Sequence, residues 1–394
     1  MDIFEESLEL HKKLRGKFET TPKAKINSQH DLALMYSPGV ARISEVLASE
    51  PERASELTIK SNCVAVVSDG SAVLGLGNIG PYGAIPVMEG KAVLFKQYAG
   101  VDAFPICVRT QDAQDIIKLV RNISPVFAGV NLEDISAPRC FEIEESLQDL
   151  GIPVFHDDQH GTAIVTVAAM INAAKLAGKD MTQLKVVING AGAAGTAIAK
   201  MLLCVGHDPE VCQPVKEVLI CDSKAIISRN RADIKSNAYK VKLSLITNHG
   251  NVDGELADAM VDADVFVGVS VAGAVTQEMV RSMADKPVIL AMANPTPEIM
   301  PDEAFEAGAF VVGTGRSDFP NQVNNVLAYP GIFRGAIDAG ARRITEEMKL
   351  AAARALADAV ENPEPGRVIP SVMEEGIAAK VAQAVADCWA NRKS

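Results

Sequence analysis

The sequence of 394 residues lacks several features that define broad classes of protein. Its seven cysteines are scattered and form no CxxC pair, so neither a zinc ribbon nor a disulfide framework is indicated. The amino-terminal segment is charged and amphipathic without the apolar core of a signal peptide, and no apolar run is long enough to span a membrane. These absences predict a soluble, cytoplasmic protein with no membrane partner.

Positive charge is also scarce. The chain has 38 Lys and Arg against 50 Asp and Glu, a formal net charge of −12. This balance argues against nucleic acid as a partner. An acidic protein that binds an anionic ligand needs basic side chains at the site or a bound metal ion. The length exceeds that of one ordinary core and predicts two domains.

Hydrophobic patterning divides the chain. Residues 1–60 are predicted to be polar helices, after which short β-branched runs alternate with helical segments. A long apolar helix at 161–179 precedes a second alternation of five strands with helices. We therefore predict an α/β protein with two domains: an N-terminal parallel α/β domain, residues 1–160, and a Rossmann-type doubly wound domain, residues 161–394. The last helices are expected to pack back on the first domain.

One of two glycine-rich motifs has the context of a nucleotide-binding loop. "GAGAAG" follows the strand "LKVVIN" and runs into a helix, which would aim helix N–H groups at a pyrophosphate. Asp222, after the next strand, is expected to bind ribose hydroxyls, although it lies further along than the usual 20 or so residues. The residues expected to contact the nucleotide in the loop are Gly190, Gly192, Ala193, Ala194 and Gly195.

The other motif, "GLGNIG" at residues 75–80, lacks that context. Pro81, Gly83 and Pro86 follow it, which predicts a loop rather than a helix. Its glycines are expected to shape a loop that approaches some other ligand, and a purely structural turn is the alternative.

Two acidic pairs follow predicted strands, Glu133-Asp134 and Asp157-Asp158. Ligand sites in open parallel sheets form beyond the carboxyl ends of the strands. Four carboxylates that converge there would repel one another unless a cation joined them. Oxygen ligands alone favour Mg²⁺ or Mn²⁺ over zinc.

Four nearby side chains are ambiguous by themselves. His156 and His160 have the spacing of a zinc pair, but they straddle a strand end and a helix start. Lys91 lies between apolar residues, where a lysine either snorkels to solvent or is desolvated with a lowered pKa suited to proton abstraction. Tyr36 precedes a turn, where packing is the ordinary role.

Taken together, these segments resemble one family. In order and spacing, the chain from about residue 15 to 390 is similar to the small-subunit malic enzymes. The resemblance implies oxidative decarboxylation of L-malate to pyruvate and CO₂, with NAD or NADP and Mg²⁺ or Mn²⁺. The segments that carry it are "YSPGVAR", "GLGNIGPYGAIPVMEGKAVLF", "NLEDI", "FHDDQHGTA", "INGAGAAG", "CDSK", "ANPTPE" and "QVNNVLAYPG".

The resemblance also implies roles for individual residues. Tyr36 would be the general acid and Lys91 the general base, while Asp157 would support the lysine or the metal site. The first domain would hold substrate and metal, and the second would bind NAD(P). The implied metal ligands are Glu133, Asp134 and Asp158, and the implied substrate-binding asparagines are Asn294, which also lies at the cofactor, and Asn324 or Asn325.

The chain departs from the family at one position. Larger eukaryotic malic enzymes carry an arginine just before "ILGLG", where this chain has Ala72 and Val73. The second carboxylate of malate is therefore expected to be held by Ser71, the amides of the glycine loop and the asparagines.

Three questions stay open at the level of sequence. Asp222 favours NAD, whereas Lys224, Arg229 and Arg231 favour NADP, towards which we lean slightly. Malolactic enzyme, which releases L-lactate, is the alternative activity, and a non-catalytic nucleotide-binding homologue is a more distant one. The family likeness also implies a homodimer, in which Tyr36 serves either its own or the neighbouring subunit.

Overall fold

The computed structural model describes residues 2–392, and its nine strands form two separate parallel sheets. Residues 393–394, the end of the predicted second domain, lie outside the described residues. The first sheet has the order β2-β1-β3-β4 and the second β6-β5-β7-β8-β9. The strands are β1 Cys63–Ser68, β2 Asp102–Cys107, β3 Gly129–Leu132, β4 Val154–His156, β5 Lys185–Asn189, β6 Glu217–Cys221, β7 Val265–Gly268, β8 Val288–Ala291 and β9 Val311–Thr314.

Helices connect and cover the strands, and none in the described chain has the length and apolar character needed to cross a membrane. Each is named by its bounds: α1 Ile3–Leu14, α2 Gln29–Met35, α3 Val40–Ser49, α4 Ala54–Leu57, α5 Gly80–Ala99, α6 Ala113–Ile123, α7 Arg139–Leu147, α8 Asp157–Ala177, α9 Ala193–Leu202, α10 Ala238–Ile246, α11 Leu256–Met260, α12 Gln277–Arg281, α13 Pro301–Glu306, α14 Tyr329–Asp338, α15 Glu346–Asp358 and α16 Ile377–Ala390. The predicted two-sheet α/β architecture is thereby confirmed.

The order of the strands explains where a ligand site forms. In each sheet the first strand in the chain, β1 or β5, is flanked by its second and third. The direction of winding therefore reverses between β1 and β3, and again between β5 and β7. In open parallel sheets the crevice for ligands lies beyond the carboxyl ends of the strands at such a reversal. This chain has two of them.

The helix α8 joins the sheets and is buried on nearly all sides, as an apolar helix without a polar face must be. The carboxyl-terminal helices complete the core around it. In α14, Gly335 lets α16 approach so closely that a Cβ there would lie 2.2 Å from the carbonyl oxygen of Ala382. The Phe333 ring of α14 packs edge-on against Phe95 of α5, with centroids 5.4 Å apart.

The prediction of a loop after "GLGNIG" is wrong, because α5 begins at Gly80 and runs for 20 residues. Pro81 occupies the first turn, where the missing N–H has no helical partner in any case. Only Pro86 removes an internal hydrogen bond. The glycine motif itself does form a tight turn, in which Gly77 and Gly80 have φ of 74° and 75°.

The expectation that the cysteines are unpaired is wrong for one pair. Cys204 and Cys212 form a disulfide that closes the loop between α9 and β6. The remaining five cysteines are free. The two cysteines are eight residues apart in sequence, and the conformation of this loop places their Cα atoms 5.7 Å apart.

Candidate active site

A cavity of about 610 Å³ lies where the carboxyl ends of both sheets meet. Loops after β1 and β3 line one side, and loops after β5, β7 and β8 line the other. At its edge the two sides touch, since a Cβ on Gly75 would lie 2.1 Å from the carbonyl oxygen of Asn294. The two winding reversals thus open into one shared crevice.

An acidic cluster forms one wall of this cavity. Glu133 and Asp134 follow β3, Asp158 lies in the first turn of α8, and one oxygen of each lies within 4.8 Å of the others. The backbone N–H of Asp134 donates to the Asp158 carboxylate at 2.8 Å. Burial, together with the neighbouring carboxylates, raises the pKa of Glu133 to about 7, of Asp134 to about 9 and of Asp158 to about 6.

The cluster has the donor chemistry of a site for a hard divalent cation. Three carboxylates supply oxygen ligands, and the buried Oδ2 of Asp134 has no hydrogen-bond partner in the described chain. The histidines do not form a zinc pair: His160 is hydrogen-bonded to Glu144 and Lys349, and His156 lies 3.7 Å from the Asp158 carboxylate. The residues therefore fit Mg²⁺ or Mn²⁺ better than zinc.

Removal of divalent cations is expected to destabilise the protein, more strongly at pH 8 than at pH 6. The raised pKa values mean that the cation-free fold loses stability as the pH rises from about 4 towards 9, because buried carboxylates must ionise. A cation binds the ionised forms and restores about 2.7 kcal/mol at 100 times its Kd. Thermal midpoints with EDTA, Mg²⁺ and Mn²⁺ at both pH values test this. Asp158→Asn should abolish the metal-dependent gain, and a gain equal at both pH values would contradict the prediction.

Lys91 lies on α5 beside this cluster and is 8% exposed. Its ammonium bonds to the Asp157 carboxylate and to Glu133 Oε1 at 2.9 Å, and it stands 4.2 Å above the centre of the Tyr329 ring. Snorkelling is excluded by this burial. Desolvation lowers the pKa of Lys91, but Asp157 and Glu133 outweigh it and raise the pKa well above its ordinary value. A lowered pKa, the other alternative for Lys91, is therefore not found.

The nucleotide loop faces the acids across the cavity. A Cβ on Gly190 would lie 2.4 Å from the Val269 carbonyl oxygen, and one on Gly195 would lie 1.8 Å from that of Gly190. Gly192 instead faces open space, and Gly192, Ala193 and Ala194 line the cavity. Gly190 thus lets the loop after β5 approach the loop after β7, Gly195 lets α9 pack on the end of β5, and Gly192 leaves the backbone open to a phosphate.

The three predicted asparagines all line the cavity. Asn324 caps a short 3-10 turn, with its side-chain oxygen accepting the N–H of Val326 at 3.0 Å. Asn325 has no side-chain hydrogen bond within the described residues, and Asn294 belongs to the loop after β8. Asn325 is thus the one of the adjacent pair whose oxygen and amide are both uncommitted.

Ser71 and Tyr36 are predicted site residues that do not line the cavity. Ser71 is buried beneath it, where its hydroxyl bonds to Asp69 and accepts the N–H of Ser136 at 2.9 Å. Ser71 therefore joins the loops after β1 and β3. Tyr36, at the end of α2, is 68% exposed and does not line the cavity of its own chain.

Asp222 follows β6 and is engaged by cations. Its two oxygens accept from the guanidinium of Arg231, at 2.9 and 3.0 Å, and from Lys240 at 2.6 Å, and the backbone N–H groups of Lys224 and Ala225 complete the set. These hydrogen bonds outweigh desolvation and lower the pKa of Asp222. The Lys224 ammonium is paired with Asp233.

Sequence reasoning missed two residues that shape this site. Glu298 is fully buried and accepts the N–H groups of Ser270 and Ala293 at 2.8 and 3.0 Å, which holds together the loops after β7 and β8. Tyr329 is fully buried beneath the Lys91 ammonium. Both stand inside segments already singled out, "ANPTPE" and "QVNNVLAYPG", so their position was a usable signal.

The fold and the loop define an oxidoreductase with a Rossmann-type NAD(P)-binding domain. Residues 159–390 match the family profile described as "Malic enzyme, NAD binding domain", and residues 15–118 match "Malic enzyme, N-terminal domain". The chain belongs to the malic enzyme family, whose NAD- and NADP-dependent members both match it.

Relatives agree along nearly the whole chain. A bifunctional malic/malolactic enzyme of Bacillus subtilis is 56% identical over 98% of this chain and 93% of its own length. An NADP-dependent malic enzyme of Haemophilus influenzae is 49% identical over 87% of this chain and 44% of its own length. The crystal structure of an NAD-dependent malic enzyme of Thermotoga maritima superimposes with a TM-score of 0.92, at 48% identity, over 96% of this chain and 98% of its own.

Proposed function

We propose that the protein oxidatively decarboxylates L-malate to pyruvate and CO₂ with reduction of NAD(P)⁺ and a requirement for Mg²⁺ or Mn²⁺. One observation carries the proposal: a buried lysine bonded to Asp157 and Glu133 stands at the edge of a three-carboxylate cluster, across one cavity from the nucleotide loop. This arrangement brings together a base, a cation site and a hydride acceptor.

The cation would be held by Glu133, Asp134 and Asp158. When bound, it supplies a Lewis acid that polarises the oxygen on C2 of malate and stabilises the enolate left by loss of CO₂. Because Lys91 is the one basic side chain among the described residues lining the cavity, the cation is also the natural counter-charge for a dianionic substrate. Asn294 and Asn325 would orient the substrate, and Ser71 would act on it only through the loops that it joins.

Lys91 and Asp157 would share the proton work. Lys91 Nζ, once deprotonated, takes the proton of the C2 hydroxyl while hydride leaves C2 for the nicotinamide. Asp157 and Glu133 hold the proton on Lys91, because they raise its pKa well above the ordinary value. A cation on Glu133 would oppose that effect, and Asp157, which accepts a hydrogen bond from the ammonium and whose pKa burial raises to about 7, would then receive the proton. Tyr36 would then protonate C3 of enolpyruvate.

The position of Tyr36 supports a homodimer in which the amino-terminal arm of each subunit, helices α1 to α3, completes the active site of the neighbouring subunit. Helices α1, α2 and α3 bury no residue, and they expose the apolar side chains of Leu34, Met35 and Val40 around Tyr36. A second exposed apolar surface, formed by Leu74, Leu76, Ile79 and Tyr82, lies at the rim of the cavity. Paired exposed surfaces of this kind are typical of interfaces between subunits.

The malolactic alternative is carried by the same site, and the name of the Bacillus subtilis relative includes both activities. Product analysis separates them. With L-malate, Mn²⁺ and excess NAD⁺ or NADP⁺, we expect pyruvate and reduced cofactor in equal amounts. Lactate without net release of reduced cofactor would establish the malolactic activity, and the absence of both products would refute the proposal.

We infer a preference for NADP⁺. Beyond β6, the cations Lys224, Arg231 and Lys240 outnumber the carboxylates of Asp222 and Asp233 by three to two. Asp222 already accepts five hydrogen bonds, which leaves little capacity for a ribose 2′-hydroxyl. A net positive surface with a saturated carboxylate favours a 2′-phosphate.

Arg231→Ser is expected to lower kcat/KM for NADP⁺ by about 10- to 100-fold and that for NAD⁺ by less than about threefold. The substitution removes a positive charge and unmasks the Asp222 carboxylate, which would repel the phosphate. Arg229→Ser is the matched control, since Arg229 bonds to the carbonyl oxygen of His249 and to Asn251. An unchanged ratio of the two kcat/KM values in Arg231→Ser would contradict the inference.

The proposed domain division separates the residues that would bind substrate and metal from those that would bind the nucleotide. We place residues 1–160 in the substrate and metal domain and 161–394 in the nucleotide domain. The match of the NAD-binding profile from residue 159 supports a boundary at the start of α8.

A further inference from the structure

Glu144 is a buried carboxylate that lies outside the active-site cavity. It belongs to α7, is 8% exposed, and does not line the cavity described above. Its two oxygens accept hydrogen bonds from three groups: the backbone N–H of His156 at 3.1 Å, the amide of Gln159 at 3.0 Å and the ring of His160 at 2.9 Å. All three donors belong to the start of α8.

The start of α8 also carries two of the site's acids. Asp157 and Asp158 form its first turn, and they bind Lys91 and the N–H of Asp134. His156, at the N-cap position, gives this helix no side-chain hydrogen bond. A helix start without a capping side chain leaves its first N–H groups dependent on outside partners. Glu144 is such a partner, provided by another helix.

Electrostatic repulsion among the carboxylates would displace the first turn of α8 if no other residue held it in place. Glu133, Asp134 and Asp158 crowd together, Asp157 shares Lys91 with Glu133, and among residues 2–392 Lys91 is the one ammonium that bonds to any of the four. Like charges at this separation push apart in a buried setting. This repulsion acts to displace the first turn of α8 from β3, and the hydrogen bonds from His156, Gln159 and His160 to Glu144 oppose that displacement.

The hydrogen bonds that fix the start of α8 continue to the carboxyl-terminal helix α15. Lys349 of α15, 5% exposed, lies 3.2 Å from Nδ1 of His160 and bonds to Glu346 at 2.5 Å. An ammonium can only donate, so Nδ1 of His160 accepts and Nε2 carries the proton that goes to Glu144. The resulting chain, Glu346–Lys349–His160–Glu144, links α15, α8 and α7 and fixes the orientation of the imidazole.

We propose that Glu144 is a positioning residue that holds the first turn of α8 so that Asp158 reaches the cation shared with Glu133 and Asp134. The inference rests on the proposed cation site. It adds a function for a carboxylate that touches neither the substrate nor the cation. Lys349 supports the same position indirectly, because it bonds to His160, which bonds to Glu144.

The test is Mn²⁺ binding by Glu144→Gln, measured as free Mn²⁺ by electron paramagnetic resonance, with neither malate nor nucleotide present. Glutamine keeps the shape but has one acceptor oxygen for three donors. Loss of such a supporting partner typically costs 10- to 100-fold in metal affinity, and we expect an increase of that size in Kd. Glu145→Gln, the exposed neighbour on α7, is the matched control and should keep its Mn²⁺ affinity.

Nucleotide affinity distinguishes positioning from general damage. Binding of NADPH, followed by its fluorescence, should change less than twofold in Glu144→Gln, because the nucleotide loop belongs to the other sheet. Lys349→Met should weaken Mn²⁺ binding less than Glu144→Gln does, and the double variant should fall short of the product of the two effects, since both act through His160. If Glu144→Gln does not fold, the Mn²⁺ affinity of Lys349→Met is compared with that of the wild type, and an unchanged affinity overturns the inference.

The inference is overturned if Glu144→Gln binds Mn²⁺ as tightly as Glu145→Gln, or if NADPH binding weakens as much as Mn²⁺ binding. Its failure is distinct from that of the proposed function. A wild-type protein that binds Mn²⁺ but does not oxidise malate would refute the function and leave the positioning role standing. If the wild type oxidises malate and Glu144→Gln keeps its Mn²⁺ affinity, the proposed function stands and the positioning role of Glu144 is refuted.

Discussion

Lys91→Met is expected to lower kcat for malate oxidation by about 10³-fold. A positioned general base contributes on the order of 10²- to 10⁴-fold, and methionine fills the same volume without a nitrogen. Lys91 is the one amine among the described residues lining the cavity, so no neighbour can take over its proton transfer. The decline should appear in the oxidation step, before CO₂ is lost.

Partial reactions locate that step. Oxaloacetate supplied directly bypasses the hydroxyl proton, so its decarboxylation with Mn²⁺ should be impaired much less than malate oxidation. Lys96→Met is the matched control, because Lys96 lies on the same helix, is exposed and pairs with Asp102 at the surface. Retention of malate oxidation within about tenfold of wild type would remove Lys91 from the role of base.

Stability must be followed alongside activity, because Lys91→Met leaves Glu133 and Asp157 buried without their ammonium. Breaking a buried ion pair from one side typically costs about 3–5 kcal/mol. Here the carboxylates can take up protons instead, and saturating Mn²⁺ should recover part of the loss at Glu133. A thermal midpoint measured with Mn²⁺ therefore separates a misfolded variant from an inactive one.

Much of this site could be predicted from the sequence because its chemistry follows strand ends. The acids after β3 and β4 and the glycines after β5 are adjacent in the chain to β-branched runs, and strand order brings such positions together. Local pattern failed where packing decides the outcome. The helix α5 has Pro81 in its first turn, where a proline costs no hydrogen bond, and Pro86 inside it, and the Cys204–Cys212 pair depends on the path of one loop.

Residues that act on other residues were harder to predict. Glu144 reads as one of several glutamates on an amphipathic helix, and nothing local marks it as the acceptor for a turn 12 residues later. Ser71 was expected at the substrate because the chain lacks the arginine of its larger relatives, whereas its hydroxyl donates to Asp69 and accepts the N–H of Ser136. For Lys91 the sequence leaves two alternatives, snorkelling to solvent or a pKa lowered by burial. Its two carboxylate partners, which reverse that shift, lie 42 and 66 positions away.

Tyr36 is hard to assign for a related reason, because its expected target lies in the neighbouring subunit. Mixing two inactive variants, Tyr36→Phe and Lys91→Met, is expected to restore activity to about one quarter of wild type. Tyr36→Phe and Lys91→Met each leave every site of their homodimers defective. In a statistical mixture half of the dimers are hybrids. If each site combines Lys91 of one subunit with Tyr36 of the other, one of the two sites in every hybrid is intact.

The alternative gives a different number. If Tyr36 serves its own subunit, every site in the hybrid carries one defect, and mixing restores nothing. Co-expression with two affinity tags yields the hybrid alone, which should then show half of wild-type activity in the shared case. Tyr82→Phe, mixed with Lys91→Met in the same way, is the matched control, since Tyr82 is equally exposed but belongs to the rim of the cavity rather than to the arm. The exposed apolar surface around Tyr36 would be costly on a monomer, and a shared site would both bury it and bring the phenol to the enolate.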